Sequence, residues 1–273
     1  VGRLDDGKVC FVRGAAPGER VLAKTVADKS NHRFATLLSV VKPSPRRIET
    51  GCPLAPAPDA EGLGECRQCP GCSYRHVLYE DELAAKDSQL RYFVSRWLKL
   101  DPEKIVRKPV AAPSRDGWRN KIVLSCGDVA GVGLRAGYKA SDNRTLLPLD
   151  SCPLAHPEIQ KLMSSELSSP GFAETLVERM RLSFRYTEKD GALFWREEPA
   201  EDAPLLTETL PQGEFKVPRG SFFQVNLQVA SALLAEFSKI VSSLQPELLL
   251  DMYCGSGLVS LVASDAGAAS VEG

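Results

Sequence analysis

The segment formed by residues 248–273 constrains the fold of this chain more than any other. The apolar run LLLDMY, which begins at Leu248, is followed by a glycine-rich turn, by the helical pattern LVSLVASDA and by the short run ASVEG. A buried strand, a glycine turn, a helix and a second strand make up the first βαβ unit of a doubly wound parallel sheet. The sequence therefore predicts that a Rossmann-like α/β domain starts near residue 215 and continues through residue 273.

The turn in this segment carries residues suited to binding a nucleotide. Gly255 and Gly257 would let the backbone approach a ligand closely, and Glu272 at the end of the second strand could accept ribose hydroxyls. Ser260 stands where a full dinucleotide fingerprint has glycine, and Asp251 on the first strand favours a methyl-donor nucleotide over NAD. The alternative is that both glycines serve only the tight turn.

The cysteine spacing points to a metal. Cys66, Cys69 and Cys72 lie within seven residues, and Cys52 and Cys152 are each followed by proline. Closely spaced cysteines with a remote Cys-Pro are typical of iron–sulfur proteins, although four thiolates also suit zinc, and the loop could be unligated. Such clustering favours metal binding over disulfides in a reducing compartment, which together with a polar first ten residues predicts a cytoplasmic protein.

The remainder of the chain divides by pattern into further regions. Short alternating runs predict a small all-β module, a barrel, over residues 1–46, and a loop over 47–78 carries four of the eight cysteines. We expect a helical segment over 79–112 that packs on the last domain, and a central α+β domain over 113–214. The start of the last domain is residues 215–273.

Charge is distributed unevenly along the chain. Residues 1–144 hold 25 Lys and Arg against 17 Asp and Glu, whereas residues 145–273 hold 9 against 18. A basic half favours a polyanionic partner such as nucleic acid, and solvated surface charge is the alternative. No stretch reaches the roughly 18 uncharged apolar residues of a membrane helix, so no membrane partner is expected.

Three local predictions can be checked against the structure. Residues 79–99 are expected to form an amphipathic helix whose apolar side packs on the core, and Gly127-Asp128 is expected to form a hairpin turn. The segment Trp118–Lys121 could contact phosphates or could be a solvated strand edge. The apolar side of the predicted helix consists of Leu83, Leu90, Phe93, Val94 and Trp97.

Taken together, these motifs resemble the RNA 5-methyluridine methyltransferases that carry a TRAM domain and a 4Fe-4S cluster. GKVCFVRGAAPGERVLAK is similar to the TRAM barrel, RGSFFQVN (219–226) to the segment that leads into the methyltransferase domain, and DMYCGSGLVSL to the S-adenosylmethionine loop. The cluster loop of the family is matched by Cys52-Pro53, Cys69-Pro70-Gly71-Cys72, Tyr74-Arg75-His76 and Cys152-Pro153-Leu154.

The resemblance implies specific site residues. The cluster ligands would be Cys52, Cys69, Cys72 and Cys152; the interval from Cys52 to Cys69 is longer than usual, and Cys66 is an extra candidate. S-adenosylmethionine would be bound by Gln224, Tyr253 and Glu272, and by the loop residues Asp251, Gly255 and Gly257. The implied activity is methylation of carbon 5 of a uridine in structured RNA, with 23S rRNA favoured over tRNA and no obligate protein partner.

The implied chemistry also needs a cysteine that adds to carbon 6 of uracil and a carboxylate that removes the proton from carbon 5. We expect both residues to lie beyond residue 273, and Cys254 matches the donor loop, so no catalytic residue is predicted in this chain. Two other functions remain open: a non-catalytic RNA-binding module with a zinc-bound loop, and a nicotinamide-dependent oxidoreductase.

Overall fold

The computed structural model describes residues 1–55, 58, 68–196 and 204–273. It divides into two compact units. The first contains residues 1–109 and 136–149, and the second contains residues 110–135 and 150–273.

The first unit begins with a four-stranded sheet, so the predicted all-β module is present. The strands follow the order β1-β2-β4-β3, in which β2 and β4 are parallel and the other neighbours are antiparallel. One face of the sheet buries Cys10, Ala35 and Leu37, as the alternation of apolar and polar residues requires. The strands are β1 (Gly2–Arg3), β2 (Val9–Arg13), β3 (Arg20–Asp28) and β4 (His32–Lys42).

The predicted helix over 79–99 is present, but most of its apolar side is not buried. It forms α1 (Tyr79–Phe93), which passes into a π-helical turn (Val94–Leu98), and α2 (Pro102–Ile105) follows. On the side that was expected to pack, Val94 is buried. Leu90, Phe93 and Trp97 on the same side are each more than half exposed. The periodicity therefore identified a helix but not its environment.

The central region combines helices and strands, its residues 136–149 belong to the first unit, and one turn lies elsewhere than expected. The strand that begins at Lys121 continues through Gly127-Asp128, and the chain turns only at residues 130–132. In the second unit β5, β8 and β9 pair as antiparallel neighbours, and in the first unit β7 pairs with the end of β6. The elements are β5 (Lys121–Val129), β6 (Gly133–Lys139), β7 (Leu146–Pro148), α3 (Pro157–Leu167), a 3-10 turn (Phe172–Thr175), β8 (Arg181–Thr187) and β9 (Gly191–Arg196).

The last part of the second unit contains the predicted βαβ pattern and a hairpin that the sequence analysis did not anticipate. The hairpin joins β10 and β11 antiparallel, and β12 pairs with β13 in parallel across the helix α5. Asn226 caps α4, since its side-chain oxygen accepts a hydrogen bond from the Val229 N–H at 3.1 Å. The elements are β10 (Leu205–Leu210), β11 (Gly213–Pro218), α4 (Leu227–Leu244), β12 (Leu249–Leu250), α5 (Leu258–Asp265) and β13 (Val271–Glu272).

An apolar cluster packs the β10–β11 hairpin, α4 and α5 together. The hairpin contributes residues from both strands, α4 packs Leu234 into the cluster, and α5 packs Leu258 and Val262. Burial of this apolar surface fixes the end of β11 beside the start of α5. The buried members are Leu210, Phe215, Val217, Phe223, Leu234, Leu258 and Val262.

Helix α4 is, among the described residues, long and apolar enough to cross a membrane by length and composition alone. It carries two charged residues, Glu236 and Lys239, which form an ion pair at 2.5 Å. Because a core helix can meet the same criterion, and α4 packs Leu234 into the cluster, this observation is weak evidence for a membrane.

Candidate functional site

A cavity of about 470 Å3 lies in the second unit, where two loops meet. One loop follows β11, and the other connects β12 to α5. The volume is in the range of small-molecule and cofactor sites. The lining residues are Pro218, Ser221, Phe222, Phe223, Gln224, Asp251, Tyr253, Cys254, Gly255, Ser256, Leu258 and Val259.

The structure brings four of the six predicted donor-binding residues into this cavity: Gln224, Asp251, Tyr253 and Gly255. The other two lie beside it in the fold. Gly257 is the N-terminal cap of α5. Glu272 is paired with Leu250 across the parallel strands, and its carbonyl accepts a hydrogen bond from the Asp251 N–H at 2.7 Å.

The turn between β12 and α5 depends on its two glycines. Gly255 has φ of 54° and Gly257 has φ of 74°, a left-handed conformation that costs other residues energy. The Gly257 N–H donates to the Cys254 carbonyl at 2.8 Å, and the Leu261 N–H donates to the Gly257 carbonyl at 2.9 Å. These bonds close the turn and start the helix, so the glycines shape the turn, and Gly255 also lines the cavity.

Asp251 is oriented by a residue whose role the sequence analysis missed. The Ser260 hydroxyl donates to Oδ2 of Asp251 at 2.8 Å, and Asp251 is partly buried. Ser260 occupies the position where a dinucleotide fingerprint has glycine. A glycine there would have no side chain, whereas Ser260 donates a hydrogen bond to the carboxylate of Asp251. The departure from that fingerprint was the signal available in the sequence.

The loop after β11 is anchored through its backbone carbonyls. Lys121 Nζ donates to the Gly220 carbonyl at 2.8 Å, and Arg185 Nη1 donates to the Arg219 carbonyl at 3.2 Å. Further along, the Asn120 N–H donates to the Val225 carbonyl at 3.1 Å. The bonds lie on both sides of Gln224 and hold the loop against the sheet. The Lys121 ammonium group therefore bonds to the backbone of the second unit.

Arg185 itself is held by a fully buried ion pair. Its Nε and Nη2 donate to Oε1 of Glu208 at 2.9 and 2.6 Å, and Asn120 Nδ2 donates to Oε2 at 3.3 Å. Arg185 and Glu208 are at most 1% exposed. Burial raises the pKa of Glu208, and the hydrogen bonds from Arg185 and Asn120 oppose that rise. The sequence analysis missed this pair; a charged residue in each of the strand patterns LSFRYT and LLTETL was the signal.

Three predicted metal ligands lie in the first unit on neighbouring turns. The Ala55 N–H donates to the Cys52 carbonyl at 3.2 Å, and the Cys69 N–H donates to the Leu54 carbonyl at 2.7 Å. The Gly71 N–H also points to the Cys69 sulfur at 3.4 Å. The fourth predicted ligand, Cys152, lies in the second unit.

Cys152 is buried, and its surroundings repeat the tetrapeptide Cys-Pro-Leu-Ala that also begins at Cys52. The two segments form the same turn, since the Ala155 N–H donates to the Cys152 carbonyl at 2.8 Å. Cys66 lies outside the described residues. Within the described part of the chain, no group of three or more His, Cys, Asp or Glu side chains is placed to hold a metal ion.

Fold and site together describe a protein with a cavity at the carboxyl end of a parallel strand pair. No protein-family profile matches the chain. In overall structure the chain is similar to the crystal structure of Pyrococcus abyssi tRNA (uracil-54, C5)-methyltransferase in complex with S-adenosyl-L-homocysteine. The TM-score is 0.65 at 19% identity, over 97% of this chain and 70% of that one. This likeness shows the fold.

Relatives in sequence are named RNA methyltransferases. An uncharacterized RNA methyltransferase of Gloeobacter violaceus is 33% identical over 60% of this chain and 34% of its own length. Another from Thermosynechococcus vestitus is 25% identical over 96% of this chain and 66% of its own. The 23S rRNA (uracil(1939)-C(5))-methyltransferase RlmD of Ralstonia nicotianae is 27% identical over 96% of this chain and 64% of its own. The chain thus spans between a third and two thirds of the length of these relatives.

Proposed function

We propose that this chain belongs to an enzyme that uses S-adenosylmethionine to methylate carbon 5 of a uridine in structured RNA. The observation that carries the proposal is the cavity that joins Gln224 to Asp251, Tyr253 and Gly255. The relatives named RNA methyltransferases, including RlmD, support the same activity. A nicotinamide-dependent oxidoreductase is disfavoured by Ser260, which occupies the glycine position of a dinucleotide site.

The cavity residues have the chemistry to hold the methyl donor. The Gln224 amide can both donate and accept hydrogen bonds, and the carboxylates of Asp251 and Glu272 can accept from ribose hydroxyls. The exposed ring of Tyr253 offers an aromatic surface. When bound, S-adenosylmethionine would supply the methyl group. The nucleophile and the base for uracil are assigned to no residue of this chain.

The direct test of donor binding is calorimetric titration of the chain with S-adenosylmethionine. Binding at one site per chain is the expected result, and titration with NAD is expected to give no binding. Binding of NAD in preference to S-adenosylmethionine would contradict the proposal. In that case the oxidoreductase would become the better interpretation.

The proposed RNA is 23S rRNA, and the proposed location of the protein is the cytoplasm. Support for rRNA comes from relatives named RlmD that align with 96–98% of this chain. The alternative substrate is tRNA, on which the structurally similar Pyrococcus abyssi enzyme acts. The two are distinguished by which RNA the native protein methylates when both are supplied with tritiated S-adenosylmethionine.

We also propose a 4Fe-4S cluster with Cys52, Cys69, Cys72 and Cys152 as ligands. The described residues alone do not assemble a metal site, so the proposal rests on the cysteine spacing and the repeated Cys-Pro turns. The Gly71 N–H near the Cys69 sulfur suits a thiolate, which accepts such bonds. No step of methyl transfer is assigned to the cluster.

Metal analysis of anaerobically purified protein tests the cluster. We expect about four irons and four acid-labile sulfides per chain, with broad absorption near 400 nm. Changing Cys69 to Ser should abolish both, whereas changing the buried Cys126 in the same way should leave the metal content unchanged. Stoichiometric zinc without sulfide would contradict the cluster and would favour the second candidate function, a non-catalytic RNA-binding module.

A further inference from the structure

An exposed aromatic cluster lies on the sheet of the first unit. Phe11 on β2 and Phe34 on β4 are register partners, and their rings stack with centroids 5.3 Å apart and planes inclined by 27°. The His32 ring packs edge-on against both, at 5.7 and 5.2 Å. Phe11 is 40% exposed and Phe34 is 42% exposed. Two phenyl rings and an imidazole therefore form one patch that solvent reaches.

This patch is on the opposite face of the sheet from the apolar interior. Cys10, Ala35 and Leu37 alternate with the aromatic positions and are buried. The buried core under the sheet is therefore formed by these residues and not by the aromatic rings. Cross-strand aromatic pairs contribute to sheet stability, but that contribution does not require three clustered rings to be exposed. Exposed aromatic groups that lie side by side are typical of surfaces that bind another molecule.

Basic residues flank the rings on the same face. Arg3 is the register partner of Val9, which pairs with His32, and Lys24 and Arg13 both pair with Thr36, two residues after Phe34. Because register partners point to the same side of a sheet, these three cations lie on the aromatic side. Two flank the cluster from neighbouring strands, and Arg13 contacts the Ser141 hydroxyl.

The acidic residues of this region are largely neutralised within it. Asp28 accepts from Lys8 at 3.0 Å and from Arg33 at 2.8 Å, and Asp6 accepts from Arg33 at 2.7 Å. Residues 1–50 contain ten Lys and Arg against five Asp and Glu, a net charge of +5. The net charge of this region is therefore positive, which favours a polyanionic ligand.

We propose that this aromatic face, defined by Phe11, His32 and Phe34 with Arg3 and Lys24, binds unpaired nucleotides of RNA by base stacking. Aromatic rings stack on any base, while flanking cations bind the phosphates. A paired base inside an A-form helix does not offer its face, so the ligand is a single-stranded segment. The inference rests on the proposed RNA substrate and deepens it, because it assigns one surface and one form of RNA.

The test is fluorescence anisotropy of labelled oligouridylate and of labelled duplex RNA with the purified chain. Changing Phe11 and Phe34 together to Leu keeps apolar side chains on the strands but removes the rings. We expect about tenfold weaker binding of oligouridylate, since each stacked base contributes roughly a factor of ten or more. Changing the exposed Phe93 on α1 to Leu is the matched control and should leave the affinity unchanged.

Salt dependence separates stacking from charge. The Phe variant should keep the wild-type slope of affinity against salt, whereas Lys24→Gln should reduce that slope. Wild-type affinity in a Phe variant with an unchanged melting curve would overturn the proposal, as would tighter binding of duplex RNA than of oligouridylate. Donor binding is measured separately, so its loss would count against the proposed function and not against this surface.

Discussion

Replacing Glu208 by alanine is expected to lower the free energy of unfolding by about 3–5 kcal/mol. The substitution leaves the Arg185 guanidinium, at 1% exposure, without its carboxylate partner. A buried charge without a partner carries the full cost of its lost hydration. Urea denaturation followed by circular dichroism gives the free energy of unfolding. The dependence of that free energy on urea concentration should be compared between the variant and the wild type as well.

The matched control is Glu214→Ala on β11. Glu214 also pairs with a cation, Lys189, but both side chains are about half exposed, so its loss should cost under about 1 kcal/mol. Combining Arg185→Met with Glu208→Leu should cost less than the sum of the two single changes, because neither charge is then left alone. Equal effects of Glu208→Ala and Glu214→Ala would contradict the role given to the buried pair.

Acidification from about pH 4.5 toward pH 2 is expected to destabilise the first unit through Glu19. Burial raises the pKa of this carboxyl, but hydrogen bonds from Arg47 and from the Ala16 and Ser44 N–H groups outweigh burial and lower the pKa to about 2. Arg47 donates at 2.6 and 2.7 Å, and the Glu19 side chain is fully buried. A pKa lowered in the folded state adds stability above the unfolded value, near 4.5, that is lost as pH falls through the folded value.

The measurement is the free energy of unfolding as a function of pH for the wild type and for Glu19→Gln. The wild type should lose about 3 kcal/mol more than the variant between pH 5 and pH 2, which corresponds to the lowered pKa. Glu49→Gln, a change at an exposed position of the same unit, should retain the wild-type pH dependence. If the free energy of unfolding depends on pH in the same way in the wild type and in Glu19→Gln, Glu19 is not the source of the pH-dependent stability.

The sequence predicted local elements better than their environment. The apolar run before Asp251, the glycine turn and the helix were specific enough to define the βαβ unit, because each signal is local in sequence. The apolar side of the helix predicted over 79–99 was expected to be buried, yet Leu90 and Trp97 are exposed. Helical periodicity reports which residues share a side, and burial depends on what packs there.

The candidate site could be predicted only in part, for a related reason. Gln224 was singled out through family resemblance and Asp251 through its place on a predicted strand, whereas spacing alone could not show that two loops so far apart in sequence line one cavity. The anchoring of the first loop depends on Arg185 and Glu208, which lie on different strands and meet only after the sheet and the β10–β11 hairpin pack. A pairing of this kind leaves little trace in local sequence patterns.

Binding of S-adenosylmethionine to the cavity tests the central claim most directly. Calorimetric titration of the wild type should show one site per chain, and Gln224→Ala should weaken binding about tenfold, the effect of losing one hydrogen bond to the ligand. Gln228→Ala removes an exposed glutamine on α4 that does not line the cavity, and it should bind like the wild type. No heat of binding from the folded wild type, or equal affinity of wild type and Gln224→Ala, would contradict the assignment of this cavity to the methyl donor.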